Sequence, residues 1–237
     1  MKATWRIESD AAAVADAACR LVSSAARAAI AKRGRFRLVL AGGSTPLSTY
    51  RRLAASDQQW KRWSLYYGDE RCLPADDPER NSQMVMATGI TSRVGEHLPI
   101  PAELGSKAAV QAYRKTVRPA LPFDMVLLGM GEDGHTASLF PGRDWPDKPV
   151  FAVKDSPKPP AERVTLGIAA LQDCRAMLVM VTGTDKAAAV QQWRQGVQLP
   201  VARVSDIPQA TVLVERNCLE FAGRQSIPAT EAIELYE

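Results

Sequence analysis

The amino-acid sequence predicts an α/β protein with a doubly wound, mainly parallel sheet and helices on both faces. Three observations predict it. Short apolar runs alternate along the chain with longer stretches of helical composition, the order that builds a parallel sheet through strand–helix–strand crossovers. Four of the apolar runs end in glycine turns, at Gly42-Gly43, Gly68, Gly129-Met130-Gly131 and Gly183. The length of 237 residues, with 46% hydrophobic and 24% charged residues, is within reach of a single large core. One domain over 1–237 is therefore expected.

The elements follow in chain order. Ser9 or Asp10 is placed to cap an alanine-rich helix over residues 11–32, and Gly34 to end it. Phe36-Arg37-Leu38-Val39-Leu40-Ala41 reads as a strand running into Gly42-Gly43-Ser44-Thr45-Pro46, where Pro46 suits the first turn of a helix to residue 55. Trp63-Ser64-Leu65-Tyr66-Tyr67 is a second strand, and a helix is expected after Asp77-Pro78 to about residue 88. Residues 106–117 form an amphipathic helix. Phe123-Asp124-Met125-Val126-Leu127-Leu128 is a nearly continuous apolar run, as in a strand covered on both faces. Two more strands fall at 150–153 and 163–166, the second followed by a short helix. Residues 176–181 give a buried strand, 184–195 the next helix, and 211–214 the last strand. Asp155-Ser156-Pro157-Lys158-Pro159-Pro160 is too short a linker to divide domains.

Charge and cysteine usage exclude several function classes. The net charge of +4 and a pI near 8.9 come from dispersed basic residues interrupted by acids, without an aromatic–basic motif, so no nucleic-acid partner is expected. The same excess fits a few cations converging on an anionic metabolite. Cys19, Cys72, Cys174 and Cys218 form no Cys-x-x-Cys pair, which argues against zinc and thioredoxin-type chemistry and for free thiols in a reducing compartment. No apolar leader or span-length apolar run occurs, so a cytoplasmic protein without membrane contact is expected.

In open α/β sheets ligands bind beyond the carboxyl ends of the strands, and four such ends carry unusual residues. Gly42, Gly43, Ser44 and Thr45 read either as a phosphate cradle of backbone N–H groups and hydroxyls, or as a tight strand-to-helix turn. In Gly68-Asp69-Glu70-Arg71, Arg71 suits a phosphate and Asp69 suits orienting it or a sugar hydroxyl; a solvated charge run is the alternative. Residues 129–135 contain a literal Gly-x-Gly-x-x-Gly, but Glu132 and Asp133 would face a pyrophosphate, and Pro141-Gly142 follows in place of a long helix. The loop is better used to present Asp133 and His135. His135 reads as a general base for water, or as a packed turn residue. His97, the other histidine, falls in an expected surface loop. Two distant histidines furnish no usual metal-ligand set. In the fourth end, Lys186 is expected on the first turn of a helix, where a cation opposes the dipole and either neutralises a phosphate or faces solvent. Lys158 and Arg163 flank the proline segment as a basic flap.

Six ordered segments together resemble the 6-phosphogluconolactonases, of the superfamily that includes glucosamine-6-phosphate deaminase and isomerase. They are Ala41-Gly42-Gly43-Ser44-Thr45-Pro46, Gly68-Asp69-Glu70-Arg71, Arg80-Asn81-Ser82, residues 123–142, Ser156-Pro157-Lys158-Pro159-Pro160 with Arg163-Val164-Thr165-Leu166, and residues 183–187. The resemblance implies hydrolysis of 6-phospho-D-glucono-1,5-lactone in the oxidative pentose phosphate pathway. It further implies that His135, assisted by Asp133, activates water, that the loop from Gly42 to Thr45 with Arg71 and Lys186 surrounds the phosphate, and that no metal or organic cofactor is needed. The expected partner is the small phosphorylated lactone alone, the protein being a monomer or small homo-oligomer. Cys72-Leu73 and residues 211–215 depart from the family's usual pattern, away from the chemistry. In the deaminase branch a glutamate in an Asn-Glu-Pro segment helps open the sugar ring; Thr136-Ala137-Ser138-Leu139-Phe140-Pro141 here has no carboxylate. A sugar-phosphate sensor would carry a DNA-binding module, for which no helix-turn-helix precedes the first helix.

Overall fold

The computed structural model describes residues 2–220; Met1 and residues 221–237, which the expected domain also includes, lie outside the described residues. Ten strands and seven α-helices are described: β1 (Thr4–Glu8), α1 (Ala11–Arg33), β2 (Phe36–Leu40), α2 (Ser44–Ala54), β3 (Trp63–Tyr67), β4 (Asp69–Arg71), α3 (Asn81–Met86), β5 (Glu96–His97), α4 (Ser106–Val117), β6 (Met125–Gly129), β7 (Val150–Val153), β8 (Arg163–Leu166), α5 (Ile168–Gln172), β9 (Met177–Val181), α6 (Ala187–Arg194), α7 (Pro200–Val204) and β10 (Ala210–Glu215). Seven strands form one sheet in the order β1-β10-β9-β6-β2-β3-β5, parallel at every pairing. Burial at every position of β3 and β9 shows why their sequences are continuous apolar runs: both faces of the sheet are covered.

The chain moves outward from β2 to β3 and later returns through β6 on the other side of β2. That reversal opens a crevice beyond the carboxyl ends of β2 and β6, the place where such sheets take ligands. Two buried tyrosines fix the neighbouring strand ends. Tyr50 of α2 donates to the Ala41 carbonyl and accepts from the Ala41 N–H, both at 2.9 Å. Tyr113 of α4 does the same at Tyr67, at 3.0 and 2.8 Å. Each buried hydrogen bond contributes about 1 kcal/mol net and costs more if one partner is lost.

Several elements differ from the sequence reading. The strands at 150–153 and 163–166 are β7 and β8, which leave the main sheet: β8 pairs antiparallel with β4 on one side and with β7 on the other, in a second sheet of order β4-β8-β7. The charged run after β3 is therefore itself a strand. β1 was not expected; it is an edge strand whose half-buried Trp5 packs edge-on against Trp193, with ring centroids 4.6 Å apart. α3 begins at Asn81, not after Pro78, because the Glu70 carboxylate accepts from the N–H groups of Asn81 and Ser82 at 2.7 and 2.9 Å and so fixes the helix start from outside. Lys186 does not lie in the first turn of an α-helix: it closes a 3-10 turn, residues 184–186, immediately before α6. His97 is not in a surface loop. It pairs in β5 with β3, its Nε2 is 2.8 Å from the Tyr67 hydroxyl, and burial lowers its pKa. The expected α1 caps are as read: Asp10 accepts from the Ala13 N–H at 2.8 Å and Gly34 is left-handed at φ 75°.

Candidate active site

The four strand ends converge on one cavity of about 470 Å³. Gly42, Gly43, Ser44, Thr45, Asp69, Arg71, His135, Lys158, Arg163 and Lys186 all line it. Asp133 does not; it stands behind His135 and reaches the cavity only through that ring.

After β2 the backbone turns through Gly42 and Gly43. A Cβ at Gly42 would collide with the Asn81 carboxamide, and Gly43 holds φ 104°, a conformation that disfavours any side chain. α2 starts at Ser44 without a side-chain cap, so the N–H groups at its first turn face the cavity end of the helix dipole. The Thr45 hydroxyl is 2.5 Å from that of Thr182, tying this turn to the one after β9.

After β3 the small second sheet delivers Asp69 and Arg71. Asp69 is buried, and both its oxygens are held: Oδ2 accepts from Ser138 Oγ at 2.6 Å and Oδ1 from Asn81 Nδ2 at 3.1 Å. The intervening Glu70 points away and is fully buried. Besides the α3 start it accepts from the Arg71 N–H at 2.9 Å and faces the Arg80 guanidinium at 3.5 Å. Arg71 spends one Nη on the Glu79 carbonyl, while its buried Nε–H has no partner among the described residues. The neighbouring Cys72 thiol is pushed up to about 11, first by burial; it stays protonated at neutral pH and is no nucleophile.

After β6 the loop returns without a helix, and Thr136 bridges to Leu139. The His135 N–H donates to Asp133 Oδ1 at 3.0 Å and its Nδ1 lies 2.5 Å from the same oxygen. A Cβ at Gly131 would occupy the space of the imidazole, which also packs against Phe140 at 4.8 Å between centroids. With Nδ1–H donated to a carboxylate, the lone pair sits on Nε2, and Nε2 has no hydrogen-bond partner among the described residues. The His135 pKa is lowered: burial outweighs the opposing attraction of Asp133. This reverses the upward shift that Asp133 alone would give. For Asp133, burial raises the pKa, but the bonds and charge of His135 more than offset it and the carboxyl lies below its ordinary value.

The cations arrive from the remaining loops. Arg163 is buried, its Nε donating to the Pro160 carbonyl at 3.2 Å and one Nη to those of Lys158 and Pro159 at 3.1 and 2.9 Å. It therefore shapes the proline segment as well as lining the cavity. Lys158 Nζ lies 2.5 Å and Lys186 Nζ 3.6 Å from the Glu132 carboxylate. Among the described residues no three His, Cys, Asp or Glu side chains gather in a metal-holding group, and no helix is long and apolar enough to cross a membrane. The sequence reading assigned no role to Asn81, Ser138, Glu132 or Thr182. Asn81 and Ser138 were legible only as parts of matching segments, because their partner Asp69 is remote in the chain.

Fold and site define an α/β enzyme built around a cationic cleft with a carboxylate-paired histidine in its wall. The chain belongs to the family of glucosamine-6-phosphate isomerases/6-phosphogluconolactonases, whose pattern matches residues 9–213. A 6-phosphogluconolactonase of Mycobacterium leprae is 39% identical over 80% of this chain and 85% of its own length. One of Mycobacterium tuberculosis is 36% identical over 90% and 92%. The crystal structure of a Thermotoga maritima 6-phosphogluconolactonase superposes with a TM-score of 0.82 at 26% identity, covering 91% of this chain and all of that one, 100%. A monomeric glucosamine-6-phosphate deaminase, 21% identical with a TM-score of 0.78 over 91% of this chain and 98% of its own, shares the fold. The resemblance read from the six segments thus holds.

Proposed function

We propose that this protein hydrolyses 6-phospho-D-glucono-1,5-lactone to 6-phosphogluconate, the second step of the oxidative pentose phosphate pathway, with His135 as general base. The activity rests on the relatives at 39% and 36% identity, which carry that name over most of their length. The mechanism rests on one observation: Asp133 pins His135 Nδ1 at 2.5 Å and leaves Nε2 as a free base in the wall of a cleft lined by Arg71, Lys158, Arg163 and Lys186.

The steps follow from that arrangement. Nε2 takes a proton from water as the water oxygen attacks the lactone carbonyl, and Asp133 stabilises the imidazolium that forms. The tetrahedral intermediate collapses with cleavage of the bond between the carbonyl carbon and the ring oxygen. The imidazolium returns its proton to that oxygen, which leaves as a hydroxyl, and the new carboxylic acid ionises. Atoms and protons balance without a cofactor. The turn from Gly42 to Thr45, Arg71 and Lys186 take the phosphate, Lys158, which shares the Glu132 carboxylate with Lys186, adds its charge from the flap, Asp69 orients a sugar hydroxyl, and Arg163 closes the remaining side.

The test is lactone hydrolysis with substrate generated in place and the spontaneous rate subtracted. Wild type is expected to turn over, and His135→Gln to lose about 10² to 10⁴ in kcat with little change in KM. Absence of turnover by the wild type sinks the activity. A folded variant that keeps most of the rate sinks the base.

A further inference from the structure

Glu132 lies three residues before His135 and lines the same cavity, yet the hydrolysis described above leaves it without a task. Its side chain is half exposed, at 52%, so packing does not hold it there. Charge does. Oε1 is 2.5 Å from Lys158 Nζ on the proline segment between β7 and β8, and Oε2 is 3.6 Å from Lys186 Nζ in the turn after β9. One carboxylate thus joins two cations from separate loops, and Asp185 adds a second acceptor for Lys186 at 2.6 Å. The carboxyl pKa is drawn down to about 2, above all by the Lys158 bond, so the group remains anionic throughout the neutral range.

We propose that Glu132 is a surrogate anion, engaging Lys158 and Lys186 itself and giving them up when a sugar phosphate enters the cleft. The inference rests on the reading of the cavity as a sugar-phosphate site. A dianionic phosphate and a carboxylate compete for the same ammonium groups, and like charges brought together repel. The exposed Glu132 side chain is free to rotate into water at small cost. The competition lowers affinity for the phosphate, shared by substrate and product alike, while keeping the two lysines neutralised and positioned between turnovers. It sets specificity as well: an anion weaker than phosphate is poorly able to displace the carboxylate.

Calorimetric titration of wild type and Glu132→Gln with inorganic phosphate, 6-phosphogluconate and unphosphorylated gluconate tests this. The substitution keeps size and one acceptor oxygen, removes the charge and turns the other oxygen into an NH2 donor. The variant is expected to bind phosphate and 6-phosphogluconate roughly 3- to 10-fold more tightly, and gluconate no more tightly. Unchanged or weaker phosphate binding by the variant overturns the surrogate role, since a carboxylate that merely buttresses the lysines would weaken binding when lost. If wild type binds neither phosphate nor 6-phosphogluconate but the lactone is still hydrolysed, the phosphate cradle is misplaced and the surrogate role falls with it. Absence of both binding and turnover overturns the sugar-phosphate reading itself.

Discussion

At the scale of single residues, the imidazole of His135 is set by two opposing effects of different reach. Burial acts on the charged form wherever the positive charge sits in the ring, while Asp133 acts through one nitrogen; burial wins and the pKa falls below its ordinary value of 6.5. The general base must be neutral to accept a proton, so kcat/KM is expected to stay high through neutral pH as far as this group decides it, its acid limb falling below about 6.5. The same balance acts on stability: the fold disfavours the imidazolium, so this group's contribution is complete above the unfolded pKa and is lost as pH falls through the depressed folded value. Asp133→Asn removes the leading attraction that raises the pKa, ahead of the charge of Asp69. Its acid limb is expected to move to still lower pH while kcat drops, because the tautomer is no longer fixed. The pH profile of kcat/KM, corrected for spontaneous lactone opening, measures the limb, and kcat at neutral pH the drop. A wild-type limb above pH 7 would contradict the assignment.

At the scale of elements, the strands and their glycine turns were legible because each carries its own signal. A run such as Met125-Val126-Leu127-Leu128 needs no distant partner to read as a buried strand, and Gly42-Gly43 marks the end of β2 by itself. What depends on a remote partner was not legible. The start of α3 is decided by Glu70, eleven residues earlier, and the departure of β7 and β8 from the main sheet by the pairing of β8 with the three residues of β4 and of β7 with β8. β1 was hidden for another reason: a five-residue edge strand that buries little carries a faint pattern. The site shows the same division, since Asp133 and His135 are neighbours in sequence while Asn81 and Ser138 meet Asp69 only in the fold. Glu70 is the element-scale hinge of this arrangement, wholly buried and joining β4, α3 and Arg80. Arg80 in turn holds Glu103 and the Ile100 carbonyl, each at 2.8 Å. Glu70→Ala would take from the buried Arg80 guanidinium one of its two carboxylates and leave three N–H groups without their acceptor, and the expected loss is about 3 kcal/mol. Urea unfolding monitored by tryptophan fluorescence reads it as a lower midpoint. A midpoint within error of wild type would mean that the carboxylate does not organise these elements.

At the scale of the whole molecule, cationic side chains from the second sheet, the proline segment and the turn after β9 meet a helix N-terminus at the sheet crossover, on a frame whose stability comes from the apolar core. Arg71 ends β4 and Arg163 opens β8, paired in register, Lys158 precedes β8 in the proline segment, and Lys186 follows β9. Bringing positive groups together works against folding, and an anion in the cleft relieves that repulsion only in the folded chain, where the groups converge. A ligand that binds the native state and not the unfolded one stabilises by mass action, reaching about 2.7 kcal/mol at a hundred times its Kd. For a domain of this size that corresponds to a rise in Tm on the order of 5 °C or more. The rise is expected with 6-phosphogluconate and, to a smaller extent at equal concentration, with inorganic phosphate, while gluconate, offering the same hydroxyls without the dianion, should give little. Arg71→Ala should reduce the shift with 6-phosphogluconate, since the buried Nε–H that now lacks a partner would no longer be available to the phosphate. Differential scanning fluorimetry over a ligand series at fixed ionic strength separates specific binding from general salt effects. Equal stabilisation by gluconate and 6-phosphogluconate would show that the convergent cations do not form the phosphate site.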